Sequence, residues 1–207
     1  MATGTTLAAQ VRRLLVDTDD QAYSDADLLG YLNEGMTRFA AETHCNQALI
    51  SKTVATNKVT YAELLTTLTP AVASKILMVG KVMYNDGTQY ISLPKAPITE
   101  TKSLLASTVS VPTRYSLFAE TVFFDLDPSV SGLSNAFQIF ASYVPVELTS
   151  LTAEVTIPVQ WHPAIVKYVE FCCRSADRDA GLANGAFGQY EVMRARAAEH
   201  YTQEMEG

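Results

Sequence analysis

The residues best able to do chemistry are three histidines, three cysteines, one acidic loop and a glycine cluster. His44, His162 and His200 show no H-E-x-x-H spacing, and none stands beside a cysteine pair. A zinc centre needs four converging ligands, whereas His44 and Cys45 are adjacent and leave a helix in different directions. Each histidine therefore reads as structural or surface, with His162 at a helix start ahead of Pro163. Cys45 stands alone, and Cys172 and Cys173 are neighbours that cannot easily bridge each other within a helix, so all three read as small buried apolar residues. Asp125-Leu126-Asp127-Pro128-Ser129 has the start of a calcium loop. Val130, however, falls where glycine is needed and Ala136 where a bidentate glutamate is needed, so the segment reads as a turn after a strand. Gly181, Gly185 and Gly188 do not make G-x-G-x-x-G and follow a helical pattern, so they read as an interhelical loop with Gly181 as a helix stop. Trp161, the only tryptophan, reads as a core anchor at a domain junction. There is no G-x-S-x-G elbow and no phosphate-binding loop, and no carboxylate pair stands out. No catalytic, cofactor-binding or metal-ligating residue is assigned, no cofactor is called for, and the chain is expected to be a structural subunit, not an enzyme.

Elements of some size must carry this chemistry-poor surface. The chain has 207 residues, 48% of them hydrophobic, enough for one domain with a large insertion or two small domains. No stretch approaches the roughly 20 uninterrupted apolar residues of a membrane span, so no membrane partner is expected. Met1 to Thr6 lack a basic region followed by an apolar one, and the odd, irregular cysteines form no disulfide framework. A reducing cytoplasm is the expected place of synthesis. The net charge is −7, and basic residues are scattered singly apart from Arg12-Arg13. That excludes a basic stripe for gripping phosphates and fits a solvated surface, or one past which DNA slides.

Periodicity divides the chain into three parts. Leu7, Val11, Leu14 and Leu15 place a helix over Thr5 to Val16, broken by Asp17-Thr18-Asp19-Asp20. Ser24 and Asp27 make a reciprocal cap for a second helix with the stripe Leu28, Leu32, Met36 and Phe39, ending near Thr43. From Ala48 the period becomes that of strands. These are expected near Ile50 to Val54, Lys75 to Tyr84, Gln89 to Leu93, Arg114 to Phe118, Thr121 to Leu126 and Ala136 to Val144. Asn85-Asp86-Gly87 marks a hairpin, and Ala119-Glu120 a tight connection. Tyr61 to Leu68 is ambiguous and compatible with a short helix, and Thr99 to Ala106 is also compatible with one. Helicity resumes after Pro158 with Ile165, Tyr168, Val169, Cys172, Cys173 and Ala176. A last helix is expected from about Ala186 with Phe187, Tyr190, Met193, Ala197 and Tyr201. The fold class is therefore α+β: a discontinuous helical bundle, residues 1–46 and 158–207, around a β-rich insertion, residues 47–157.

The succession resembles a known family. Val11-Arg-Arg-Leu-Leu-Val-Asp-Thr-Asp, then Tyr23-Ser-Asp-Ala-Asp-Leu-Leu-Gly-Tyr-Leu-Asn-Glu-Gly, are similar to the start of tailed-bacteriophage head-to-tail connector (adaptor) proteins. So are Pro112-Thr-Arg-Tyr, Val122-Phe-Phe-Asp-Leu-Asp-Pro, Tyr143-Val-Pro, Ile157-Pro, His162, Tyr190 and His200-Tyr201, in that order. The resemblance implies a ring, commonly of twelve copies, docked beneath the portal protein. Such a ring extends the channel through which genomic DNA passes without sequence-specific binding, and it gives the next tail or neck protein a platform. It implies a place in the virion neck, assembly in the host cytoplasm, and no catalysis. On this reading the helices build the ring wall and the β-rich region faces outward or tailward. The helix Ala186 to Met205 is the expected portal contact, and the net charge motivates an acidic lumen. A neck stopper or tail-completion protein, a non-viral ligand- or peptide-binding module using the β-rich middle, and an unspecified enzyme remain the competing readings.

Overall fold

A computed structural model describes residues 2–17, 22–54, 56–68, 73–102, 111–125 and 136–206. Among them, helices at the two ends flank a β-rich middle, which makes the fold α+β. The chain forms two compact units, residues 1–46 with 144–204, and residues 47–143 with the last three.

The helical unit begins with α1 (Gly4–Leu15) and α2 (Asp25–Thr43). The α1 N-terminus has no side-chain cap; instead the N–H groups of Gly4 and Thr5 donate to the carbonyls of Ala153 and Leu151 at 3.1 and 2.6 Å. Gly4 is required there, since a Cβ would lie 2.9 Å from the Leu151 carbonyl oxygen. α2 starts with the expected reciprocal cap: the Asp27 N–H donates to Ser24 Oγ at 3.2 Å, and the Ser24 N–H to Asp27 Oδ2 at 3.1 Å. α5 (His162–Ala176) carries Pro163 in its first turn, and the His162 ring donates to the Ile157 carbonyl at 2.8 Å, which gives that histidine a structural role. α6 (Ala180–Glu206) completes the set.

Leu28, Leu32, Met36 and Phe39 of α2 pack with Leu7 and Val11, with Ile165, Tyr168, Val169 and Cys173, and with Tyr190, Ala197 and Tyr201 in one core. The four helices thus share one apolar interior, because each presents a stripe at 3–4 residue spacing. Residues 144–157 fold with these helices, although the sequence places them in the β-rich middle. Leu148, Val155 and Ile157 are buried in the helical core.

Two further expectations need correction. α5 ends at Ala176, and the turn that follows places Arg178 at φ 61°, so Arg178 and not Gly181 supplies the left-handed residue. Gly181, Gly185 and Gly188 then lie inside α6, which starts six residues earlier than the periodicity predicts. The reason is visible in burial: Ala183 and Ala186 extend the buried stripe one turn towards the N-terminus, so packing outweighs the low helix propensity of glycine.

The second unit contains β1 (Gln47–Thr53), β2 (Lys58–Thr60), α3 (Tyr61–Leu65), β3 (Ala73–Asn85), β4 (Tyr90–Leu93), α4 (Ile98–Lys102), β5 (Tyr115–Phe118), β6 (Thr121–Phe124) and most of β7 (Ala136–Pro145). β1, β7, β3 and β4 form a four-stranded sheet in that order; β2, β6 and β5 form a three-stranded one. Phe137 of β7 joins them, with its ring centroid 5.1 Å from Tyr84 and 4.2 Å from Phe124. The Tyr115 hydroxyl adds a polar tie to the Gly80 carbonyl at 2.6 Å. The β5–β6 turn uses Ala119 and Glu120 at φ 48° and 54°, and the Tyr61 N–H, donating to the Glu120 carbonyl at 2.8 Å, braces it. At the expected Asn85-Asp86-Gly87 turn, Gly87 has φ 97° and the Asp86 N–H donates to the Gln89 carbonyl. The expected helix beyond Lys102 and the loop Leu126 to Ser129 lie outside the described residues, as do Thr18, Asp19 and Asp20.

Candidate interaction surfaces

Asp125, the first residue of the calcium-like loop, is buried and accepts bonds from the N–H groups of Thr113 and Arg114 at 2.9 and 3.3 Å and from the Thr113 hydroxyl. Its carboxylate anchors the entry to β5. Among the described residues, no three His, Cys, Asp or Glu side chains gather as a metal site. The thiols are quiet. Burial pushes Cys45 and Cys172 up to about 11 and Cys173 up to about 12, so the nucleophilic thiolate is scarce at neutral pH. His44 caps α2 in a left-handed conformation, and burial lowers its pKa. Trp161 is half-buried; its indole N–H donates to the Tyr201 hydroxyl at 3.1 Å and its ring lies 6.1 Å from Phe39.

The densest polar cluster joins α2, α5 and α6. The Arg38 guanidinium lies 5.6 Å from the ring centroids of Tyr168 and Phe187 and 6.0 Å from that of Tyr190. Arg38 Nε donates to Glu42 at 2.9 Å, Arg194 Nε approaches the other Glu42 oxygen at 3.3 Å, and the Tyr168 hydroxyl donates to Glu34 at 2.6 Å. Hydrogen bonding to Tyr168 and Glu42 holds Arg38 firmly cationic, while burial raises Tyr168 and Tyr190 above the ordinary phenol range. Arg38, Tyr168 and Tyr190 are thus held in their ordinary charge states. The cluster forms a cation–π and ion-pair staple between α2, α5 and α6.

Sequence periodicity did not mark Asn33, yet it holds the crossing chain. Its amide donates to the Leu148 carbonyl at 3.0 Å, and the Leu148 N–H donates back to its Oδ1 at 2.7 Å. The signal was present as an asparagine following the Leu32 core position.

Among the described residues, the helical unit carries clefts at several places. One of about 720 Å³ runs past Thr5, Ala9, Arg12, Asp25 and Leu151, and Arg12 crosses it to Asp25 at 3.0 Å. A second, of about 620 Å³, is lined by Asn33, Glu34, Arg38, Glu147 and Tyr168. A third, about 510 Å³, follows the outer face of α6 over Gly185, Gly188, Val192 and Met193. Leu182 and Val192 are more than half exposed beside it.

The sequence model of the family described as SU10 adaptor protein matches residues 2–206. The chain belongs to this family of tailed-phage adaptors. No curated protein matches it. Charge divides unevenly in this adaptor. Residues 1–46 and 144–204 carry eight Lys and Arg against fifteen Asp and Glu, whereas residues 47–143 carry seven against six. The acidity of the chain is therefore a property of its helical unit. No helix among the described residues is long and apolar enough to cross a membrane.

Proposed function

We propose that this adaptor forms a ring beneath the portal in the virion neck, extends the DNA channel and presents a platform to the next tail or neck protein. The match to the adaptor family over residues 2–206 carries the proposal. The ring has about twelve copies, the number common in the resembling connectors, and its contacts run head to tail, as a ring requires. Assembly takes place in the host cytoplasm, and the protein performs no catalysis. The helical unit builds the wall and meets the portal through α6, from Ala186 to Met205. The β-rich unit faces outward or tailward. The acidic excess of the helical unit supports a lumen that repels DNA and lets it slide without sequence-specific grip.

The exposed face of α6, with Leu182, Gly185, Gly188 and Val192, supports its role as a docking helix. Co-sedimentation with purified portal tests the reading. The intact chain should travel with the portal, and a chain carrying Gly188→Glu and Val192→Glu on the exposed face of α6 should not. Equal recovery of both would remove α6 from the contact, and recovery of neither would count against portal docking itself.

A further inference from the structure

α6 is held unequally along its length. From Phe187 onward it is tied firmly into the helical unit. Tyr190, Ala197 and Tyr201 are buried, and the Phe187 ring lies 4.8 Å from that of Phe171. Arg194 Nε lies 3.3 Å from Glu42, and the Tyr201 hydroxyl accepts from the Trp161 indole at 3.1 Å. The first two turns, Ala180 to Ala186, are held by much less. They read Ala-Gly-Leu-Ala-Asn-Gly-Ala, and their buried side chains are the methyl groups of Ala183 and Ala186. Leu182, the one large apolar side chain there, is 53% exposed.

Glycine weakens these turns further. Gly181 and Gly185 each make the helix about fivefold less favourable than alanine would. Packing does not require them. A Cβ at Gly185 would meet nothing within 4 Å, and one at Gly181 would meet Asp179 Oδ1 at 3.9 Å, an ordinary contact. The helix start depends on Asp179, whose Oδ1 accepts the Leu182 N–H at 3.2 Å and whose carbonyl accepts the Ala183 N–H at 3.0 Å. Its neighbour Arg178 sits at φ 61°, which is unfavourable for a residue with a Cβ. Unwinding these turns frees Arg178 from that conformation and uncovers little apolar surface, since two alanines are all it exposes. The opening has fixed limits. Upstream, the Tyr23 hydroxyl bonds the Cys173 carbonyl at 2.6 Å and holds α5; downstream, Phe187 holds the rest of α6.

We propose that residues 180–186 are a conditional helix. They open and reclose in the free chain while α5 and the rest of α6 stay packed, and they are held closed when the outer face of α6 meets the portal. The closing step rests on the docking reading above; the opening does not.

Amide hydrogen exchange on the full-length protein tests both steps. Unwinding breaks the bonds from the N–H groups of 184–188 to the carbonyls four residues earlier. In the free chain those amides should exchange at least about tenfold faster than those of 191–201. Gly181→Ala combined with Gly185→Ala should slow them about tenfold or more. Gly30→Ala, at an equally open glycine of α2, should leave them unchanged. Equal protection of 184–188 and 191–201, or no slowing by the alanine pair, would overturn the opening. With portal in excess and binding verified by co-sedimentation, 184–188 should slow to the level of 191–201. Bound adaptor in which they exchange as fast as in the free chain would overturn the closing step. Absence of co-sedimentation would sink the docking reading and the closing step together, while the free-chain rates decide the opening by themselves.

Discussion

Gly35 separates two opposing effects within one helix. Replacing a helical glycine by alanine gains about 1 kcal/mol where space allows, because alanine loses less backbone entropy. Gly30 in α2 has such space, since a Cβ added there would meet nothing within 4 Å. At Gly35 the same Cβ would lie 2.9 Å from Tyr168 Cδ1 and 3.6 Å from Ile165 Cγ2. Tyr168 is held in place: its hydroxyl bonds Glu34 at 2.6 Å, its ring lies 5.2 Å from Tyr190, and it is 2% exposed. Overpacking of this kind costs about 1–3 kcal/mol, enough to cancel or exceed the propensity gain. Gly35→Ala should therefore destabilise the protein by about 1 kcal/mol while Gly30→Ala stabilises it by a similar amount. At roughly 2–4 °C per kcal/mol for a chain of this size, thermal melts should place the two variants about 4–8 °C apart, on either side of the wild type. Equal stabilisation by both would refute the claim that α2 and α5 are in contact through Gly35 and a fixed Tyr168.

Further consequences can be measured alongside. Asn33→Ala removes both bonds to Leu148 and leaves that backbone unsatisfied, so urea unfolding should show a loss of about 2–3 kcal/mol. Val16 is a β-branched residue at φ 60° and is 81% exposed, so Val16→Asn should raise stability by about 0.5–1 kcal/mol in the same assay. The buried thiols titrate higher in the folded chain than in the unfolded one. Their contribution to stability is complete below about pH 8.5, the unfolded value, and fades as pH rises towards 11–12. Melts of the wild type should decline over that window, and Cys45→Ala with Cys173→Ala should flatten the decline. At pH 8 a thiol reagent should label Cys45 and Cys173 slowly until denaturant is added.

Much of this fold was legible because the signals were local. The Ser24–Asp27 cap, the Leu28, Leu32, Met36 and Phe39 stripe, and the Asn85-Asp86-Gly87 turn each depend on residues within a few positions of one another. The start of α6 was not legible, since three glycines argue against a helix and the burial of Ala183 and Ala186 overrides them. The allegiance of residues 144–157 was hidden for the same reason: Asn33 reaches Leu148 across 115 positions, and the α1 N-terminus finds its caps at Leu151 and Ala153. The interaction surfaces were the least visible. Periodicity pointed to the buried stripe of α6, but the outer face with Gly185, Gly188 and Val192 emerges only once the elements are packed. The segregation of acidity into the helical unit likewise required knowing which segments fold together.

The central claim is a ring of this adaptor seated on the portal. Electron microscopy of portal, adaptor and their mixture tests it most directly. The account predicts an added ring of density, coaxial with the portal and open along its axis, in the mixture. Portal particles unchanged by an excess of adaptor would contradict it.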